Sequence, residues 1–229
     1  NKIKQGAAEN IGTFFIYLVV FLFAVMCILP FILVVIVSLS SEKSITVNGY
    51  SFWPSEWSTA AYEMLFLPSS AVPQAYLVTG ISTVFGTLVA SFITFGAGYT
   101  LANRSCRYRN GLSLYFYVTM VFSAGLVPWY MMCKSLGCYD NIWALIVPSL
   151  MFNPFNMFLV RNFVRGIPAE LNESAKIDGA GEVRIAFSIY FPLCLPVLAT
   201  IALFYAIGYW NNYFNAVMLI NNEDYYSLQ

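Results

Sequence analysis

The chain has 229 residues, of which 59% are hydrophobic and only 10% charged, with 11 Lys+Arg against 11 Asp+Glu. A soluble domain carries about a quarter charged residues, so an ordinary soluble enzyme is excluded, and zero net charge leaves no basic field for nucleic acid. The chain has no His, which removes imidazole metal sites and Ser-His or Cys-His nucleophile pairs.

Residues 11–39 contain no Asp, Glu, Lys or Arg. About 20 apolar residues in a helix suffice to cross a bilayer core of about 30 Å. Lys2 and Lys4 precede this run, as in a signal peptide, but it is longer than a signal h-region and no small-x-small cleavage site follows. It is therefore read as a retained span. The chain begins at Asn1 rather than Met, so further N-terminal sequence is expected before it.

Four more charge-free runs follow, and the expected spans are residues 75–102, 112–133, 142–160 and 189–216. Runs of this length predict helices, because lipid leaves no partner for unpaired backbone groups; a β-barrel would show short alternating segments. The second run carries Ser82, Gly86, Ala90, Thr94, Gly98 and Ala102 every fourth residue, a stripe that lets another helix approach closely. Pro30, Pro128, Pro148, Pro154, Pro192 and Pro196 mark kinks or entry turns. Cys27 and Cys194 read as buried small residues. Cys133 and Cys138 flank a short loop and read either as packing residues or as a pair in an oxidising compartment.

The loops fix an expected orientation. With the N-terminus inside, Lys2, Lys4, Arg104, Arg107, Arg109, Arg161, Arg165, Lys176 and Arg184 are cytoplasmic, and only Lys43 and Lys134 lie outside. Nine against two follows the positive-inside rule.

The fourth and fifth runs hold Asn153, Asn156, Asn211 and Asn212, with Tyr209, Trp210 and Tyr213 beside the last two. Rings that stack on sugar faces and amides that bond hydroxyls suit a saccharide path. The same residues also suit an interfacial aromatic belt with interhelical hydrogen bonds. The spans contain no ionisable residue of the kind that ion-coupled carriers keep, and the chain has no GxxxxGK[ST] motif. Uphill transport would take its energy from a partner, and residues 161–188, the largest inside loop, offer the contact surface. There Pro168, Glu170 and Glu173 read as a helix start, a helix over 169–177 follows, and Gly179 stands where a left-handed C-terminal residue is wanted.

Glu173-Ser174-Ala175, three residues, Gly179, nine residues, then Ile189-x-Phe191-Pro192 resembles the EAA signature of ABC importer permeases, E-A-A-x3-G-x9-I-x-L-P. Ser174 stands for Ala and Phe191 for Leu. The extended pattern Ile167-Pro-x-Glu170-Leu-x-Glu173-Ser-Ala-x-Ile-Asp178-Gly-Ala180 is similar to the maltose-type carbohydrate-uptake branch. So are Phe52-x-Pro-x-x-Trp57-Ser-x-x-x-Tyr62, Gly125-Leu-x-Pro128, Leu136-Gly137, Trp143-x-Leu-Ile-x-Pro148 and Tyr209-Trp-Asn-Asn-Tyr-Phe-Asn-Ala216. Within that branch the resemblance is to the LplC and YtcP type of polysaccharide permease.

The resemblance implies an all-α, polytopic bundle of the type I ABC importer permease (MetI-like) fold, with five spans present of an expected six and the last following Gln229. It implies a multi-pass protein of the bacterial plasma membrane that moves an oligosaccharide and is not itself an enzyme. Its partners would be a cytosolic ATPase dimer that uses ATP and Mg, a second homologous permease and an extracellular or periplasmic solute-binding protein. No cofactor would bind this chain. Glu173 would be the polar anchor to the ATPase, Ser174 and Ala175 would pack in its cleft, Gly179 would set the turn and Asp178 would brace it. Asn153, Asn156, Trp210, Asn211 and Asn212 are the candidate substrate path. An ABC importer of a non-sugar solute, a secondary carrier and a membrane scaffold are the competing readings.

Overall fold

The computed structural model describes residues 7–67, 70–103, 105–148 and 150–229; Lys2, Lys4 and Arg104 of the charge count lie outside them. The chain divides into two units, Asn1–Ser70 and Ala71–Gln229.

The first unit is one long helix followed by a small polar knot. Helix α1, Ala7–Ser38, continues through Pro30, and its stretch Gly12–Ser38 is long and apolar enough to cross a membrane. A helix that is apolar all round needs apolar surroundings. After it the chain folds back. Ser40 bridges Trp57, Ser58 N donates to Leu39 O at 2.8 Å, and Ser41 N donates to Glu56 O at 3.1 Å. Ser41 caps the short helix α2, Glu42–Asn48, by accepting from Ser44 N at 3.2 Å. Helix α3, Ala60–Leu65, follows.

The second unit is organised around α4, Val72–Ala102, also long and apolar enough to cross a membrane. All six residues of its small stripe are buried. A Cβ on Gly86 would meet the Tyr209 ring at 2.5–2.7 Å, and one on Gly98 would meet Val160 Cγ1 at 2.7 Å. The missing side chains are thus what lets α4 touch α8, Pro154–Arg165, and α12, Leu195–Trp210. The main core joins Ala90, Phe95 and Tyr99 to Val160, Val164, Ile185, Tyr190, Leu198, Ile201 and Tyr205. A second cluster joins Val78 to Cys133, Cys138, Leu145 and Leu219. Both cysteines there are free thiols and pack as small apolar residues.

Three of the five expected spans are not continuous helices. The third is α5, Arg109–Val121, and α6, Leu126–Ser135, bent by 118° about an extended Phe122 and a left-handed Gly125 at φ +86°. In place of the fourth, a four-residue helix α7, Trp143–Ile146, unwinds before α8. Pro154 opens α8 and lacks the N–H needed to continue a helix through it. Asn153 caps the new start by accepting from Phe155 N at 2.8 Å.

The fifth follows the loop helix α9, Glu170–Ile177, and the short α10, Glu182–Ile185. It winds through a π-helical turn, Ala186–Tyr190, and α11, Phe191–Leu193, then bends by 80° into α12. Pro192 and Pro196 flank that bend and remove two N–H groups from the ladder. The chain ends in α13, Tyr213–Leu219, and a 3-10 turn, Glu223–Tyr225.

Candidate functional site

The loop helix is defined by its two ends. Glu170 and Glu173 lie in the first turn of α9 and Lys176 in the last, each sign at the favourable pole of the helix dipole. At the C-terminus Ala180 N donates to Ala175 O at 2.9 Å and Gly179 N to Lys176 O at 3.1 Å. These are the paired bonds of a Schellman turn, and Gly179 takes its left-handed position at φ +79°. Asp178 is the C-cap and gives its backbone N–H to Ser174 O at 3.0 Å. Asp178 lines a pocket of about 290 Å³ with Arg184 and Ser188.

One face of α9 is already occupied. Ala175 is 7% exposed and belongs to the main core, so it anchors the helix to its own chain rather than facing a docking partner. Glu173 and Ser174 are exposed on the other side, together with Ile177 at 86% exposure. The outward surface is therefore an acidic and hydroxyl pair next to a bare aliphatic side chain.

Beyond the turn, Glu182 gathers three partners. Its Oε1 is 2.7 Å from Lys176 Nζ. Its Oε2 accepts from Tyr99 OH and from Asn103 Nδ2, both at 3.2 Å. The hydrogen bond from Lys176 is the main reason the Glu182 carboxyl sits below its usual range, and burial opposes it.

The amides of the candidate path divide between the seam beside α7, which Asn212 shares with Asn215 and Tyr209, and the exposed end of α12, where Asn211 lies. Asn212 Nδ2 donates to Leu145 O at 2.9 Å, Asn215 Nδ2 to Pro148 O at 3.0 Å, and Tyr209 OH to Ile146 O at 3.0 Å. Together they pair the carbonyls that the unwinding after α7 leaves exposed in an apolar interior. Tyr205 OH shares a 2.6 Å hydrogen bond with Thr94 and accepts from Asn153 N at 3.1 Å. Asn156 is buried at 3% exposure. Trp210 is 41% exposed, and Asn211 is exposed, its Nδ2 donating to Ile207 O and its Oδ1 accepting from Gln229 Nε2, both at 2.9 Å. None of the five lines the apolar cavity of about 600 Å³ between α4 and α12, which is walled by Thr87, Phe92, Phe191, Leu195 and Ala199 among others.

Ile177, Glu182, Tyr205 and Asn215 do not stand out in the sequence reading. Ile177 had a signal, since a residue two after a buried helical position points elsewhere. Tyr205, Tyr209, Asn212 and Asn215 recur at helical steps inside an apolar run, which predicts bonds across helices. Glu182 had none, because only the folded turn brings it to Lys176.

The family described as binding-protein-dependent transport system inner membrane component matches residues 5–228. The chain is 38% identical over 214 residues to the polygalacturonan/rhamnogalacturonan transport system permease protein YtcP of Bacillus subtilis (strain 168), covering 93% of this chain and 74% of YtcP. It is 40% identical over 205 residues to protein LplC of the same strain, covering 88% and 68% of the two chains. The fold matches a chain in the crystal structure of a bacterial ABC transporter involved in the import of the acidic polysaccharide alginate. That match has a TM-score of 0.92 at 30% identity and covers 100% of this chain and 81% of the other. With an all-helical bundle, a Schellman-closed loop helix and these matches, the chain belongs to the family of binding-protein-dependent transport system inner membrane components.

Proposed function

We propose that this permease subunit of an ABC sugar importer moves an oligosaccharide by alternating access, driven through α9 by a separate ATPase subunit. The observation that carries the reading is the division of α9 into two faces. Ala175 holds it to the bundle, while Glu173, Ser174 and Ile177 are free to meet a cytosolic partner. A rigid helix fixed at one face transmits a push from the other, which is what a bistable bundle needs to change its accessible side. In this reading the N-terminus and α9 are cytoplasmic, in keeping with the Lys and Arg count. An ATPase dimer docks on α9 and a second homologous permease completes the pore. A solute-binding protein delivers the sugar from the opposite face.

The saccharide class rests on two of the relatives named above, YtcP of a polygalacturonan/rhamnogalacturonan transport system and the transporter involved in alginate import. Asn153, Trp210 and Asn211 are the exposed members of the candidate path, and Trp210 and Asn211 are the proposed sugar contacts. Asn153 and Asn212 support the unwound segment, and Asn156 is buried beside it. Transport of labelled oligosaccharide into proteoliposomes holding the whole importer tests the reading. Uptake that needs ATP and falls with Trp210→Ala supports it; uptake that continues without ATP refutes it.

A further inference from the structure

Resting on that reading of α9, we infer that Glu182 is the positioning residue that couples displacement of the loop helix to α4. The geometry splits its carboxylate between two elements. Oε1 holds Lys176, in the last turn of α9, at 2.7 Å. Oε2 holds Tyr99 OH and Asn103 Nδ2, at the end of α4, both at 3.2 Å. Glu182 itself opens α10, which leads directly into the π-helical turn and the bent fifth span. One carboxylate thus stands where the loop helix, the end of α4 and the entry to the fifth span converge.

The surroundings make the link directional. Gly179 lets the chain between α9 and α10 reverse, and the backbone bonds of that turn are local and do not tie α9 to α4. The buried Ala175 presents one methyl to the core and fixes no azimuth by hydrogen bonding. The Lys176–Glu182 pair is the sole ion pair among the described residues, and a charge-assisted bond has a defined length and direction that aliphatic contact lacks. On the α4 side, Tyr99 is held by its ring, which lies edge-on to Tyr190 at 5.2 Å and stacks near Phe95 at 6.2 Å. Movement of α9 therefore reaches a tyrosine wedged between α4 and the π-helical turn.

The test uses the complete importer, with both permeases, ATPase and binding protein, in proteoliposomes, and reads sugar moved per ATP hydrolysed. Glu182→Gln keeps the shape and removes the charge; the ATPase should remain bound while sugar moved per ATP falls at least threefold. Lys176→Met should do the same, and the double variant should be no worse than either single one, because both break one link. Tyr99→Phe, which removes a single hydroxyl, should shift the ratio in the same direction by less. An unchanged ratio in Glu182→Gln, or effects of the two single variants that multiply in the double, overturns the inference. Loss of the ATPase from Glu182→Gln complexes also overturns it, since Glu182 would then act in assembly. Glu173→Ala separates this from the underlying reading: if it leaves ATPase binding and transport intact, α9 is not the docking helix, whatever Glu182 does.

Discussion

The ring of Tyr209 lies over Gly86 so closely that a single added methyl would sit 2.5 Å from its Cζ. The ring cannot easily withdraw, because its hydroxyl donates to Ile146 O at 3.0 Å and the side chain is 2% exposed. Backbone contact between α4 and α12 and the pairing of an unwound carbonyl are thus served by one tyrosine.

Gly86→Ala should therefore destabilise the fold by about 1–3 kcal/mol, the usual cost of overpacking. Thermal unfolding in detergent measures it. Gly80→Ala, on the same helix with nothing within 4 Å of the added carbon, should be neutral or stabilising.

Asn215→Leu removes the donor to Pro148 O inside an apolar interior. Leaving that carbonyl unpaired should cost about 1–3 kcal/mol. Protection of the backbone around residues 145–153, read by hydrogen exchange, should fall before that of α4.

Gly179→Ala meets no steric obstacle, since nothing lies within 4 Å of the new carbon, but φ +79° strains any L side chain. The expected loss is about 1 kcal/mol, confined to the turn. Gly179→Asn should lose less, because Asn tolerates the left-handed region better. Transport assays of both variants should rank Gly, Asn, Ala.

The depressed carboxyl of Glu182 gives a pH dependence of definite sign. Its bonds to Lys176, Tyr99 and Asn103 favour the ionised form, so their contribution is fully present above the unfolded carboxylate value of about 4.3 and fades as pH falls through the lower folded value. Hydrogen-exchange protection of the α9–α10 turn, corrected for the intrinsic rate at each pH, should fall on acidification through that window in the wild type. In Glu182→Gln the turn should be less protected at neutral pH and lose this step.

The loop helix was legible because its signals are local. A proline and two acids at one end, and a glycine at a fixed offset at the other, depend on backbone chemistry that spacing reveals. The small stripe of α4 was legible as an approach face, but its occupants, Tyr209 and Val160, lie far away in sequence. The breaks in the third to fifth spans were hidden from hydropathy, which counts apolar residues and does not ask where carbonyls find donors. Gly125, Pro148, Pro154, Pro192 and Pro196 marked the places. In the fourth span the carbonyls freed by the break are paired by the donors of Tyr209, Asn212 and Asn215. Asn212, which the sequence left open between a saccharide path and a hydrogen bond between helices, is found bonded to Leu145 O. Ala175 shows the remaining limit: a motif identifies a helix without telling which face it spends on its own core.

The outward face of α9 is the proposed docking surface for the ATPase. The most direct measurement is affinity purification of the tagged importer in mild detergent, wild type beside Glu173→Ala, with the bound ATPase quantified. Loss of a charge-assisted hydrogen bond of roughly 1.5 kcal/mol corresponds to about a tenfold weaker complex. The ATPase and a second permease should accompany the wild-type chain, and ATPase recovery should drop by about that factor in the variant. Equal ATPase recovery with both chains would contradict it.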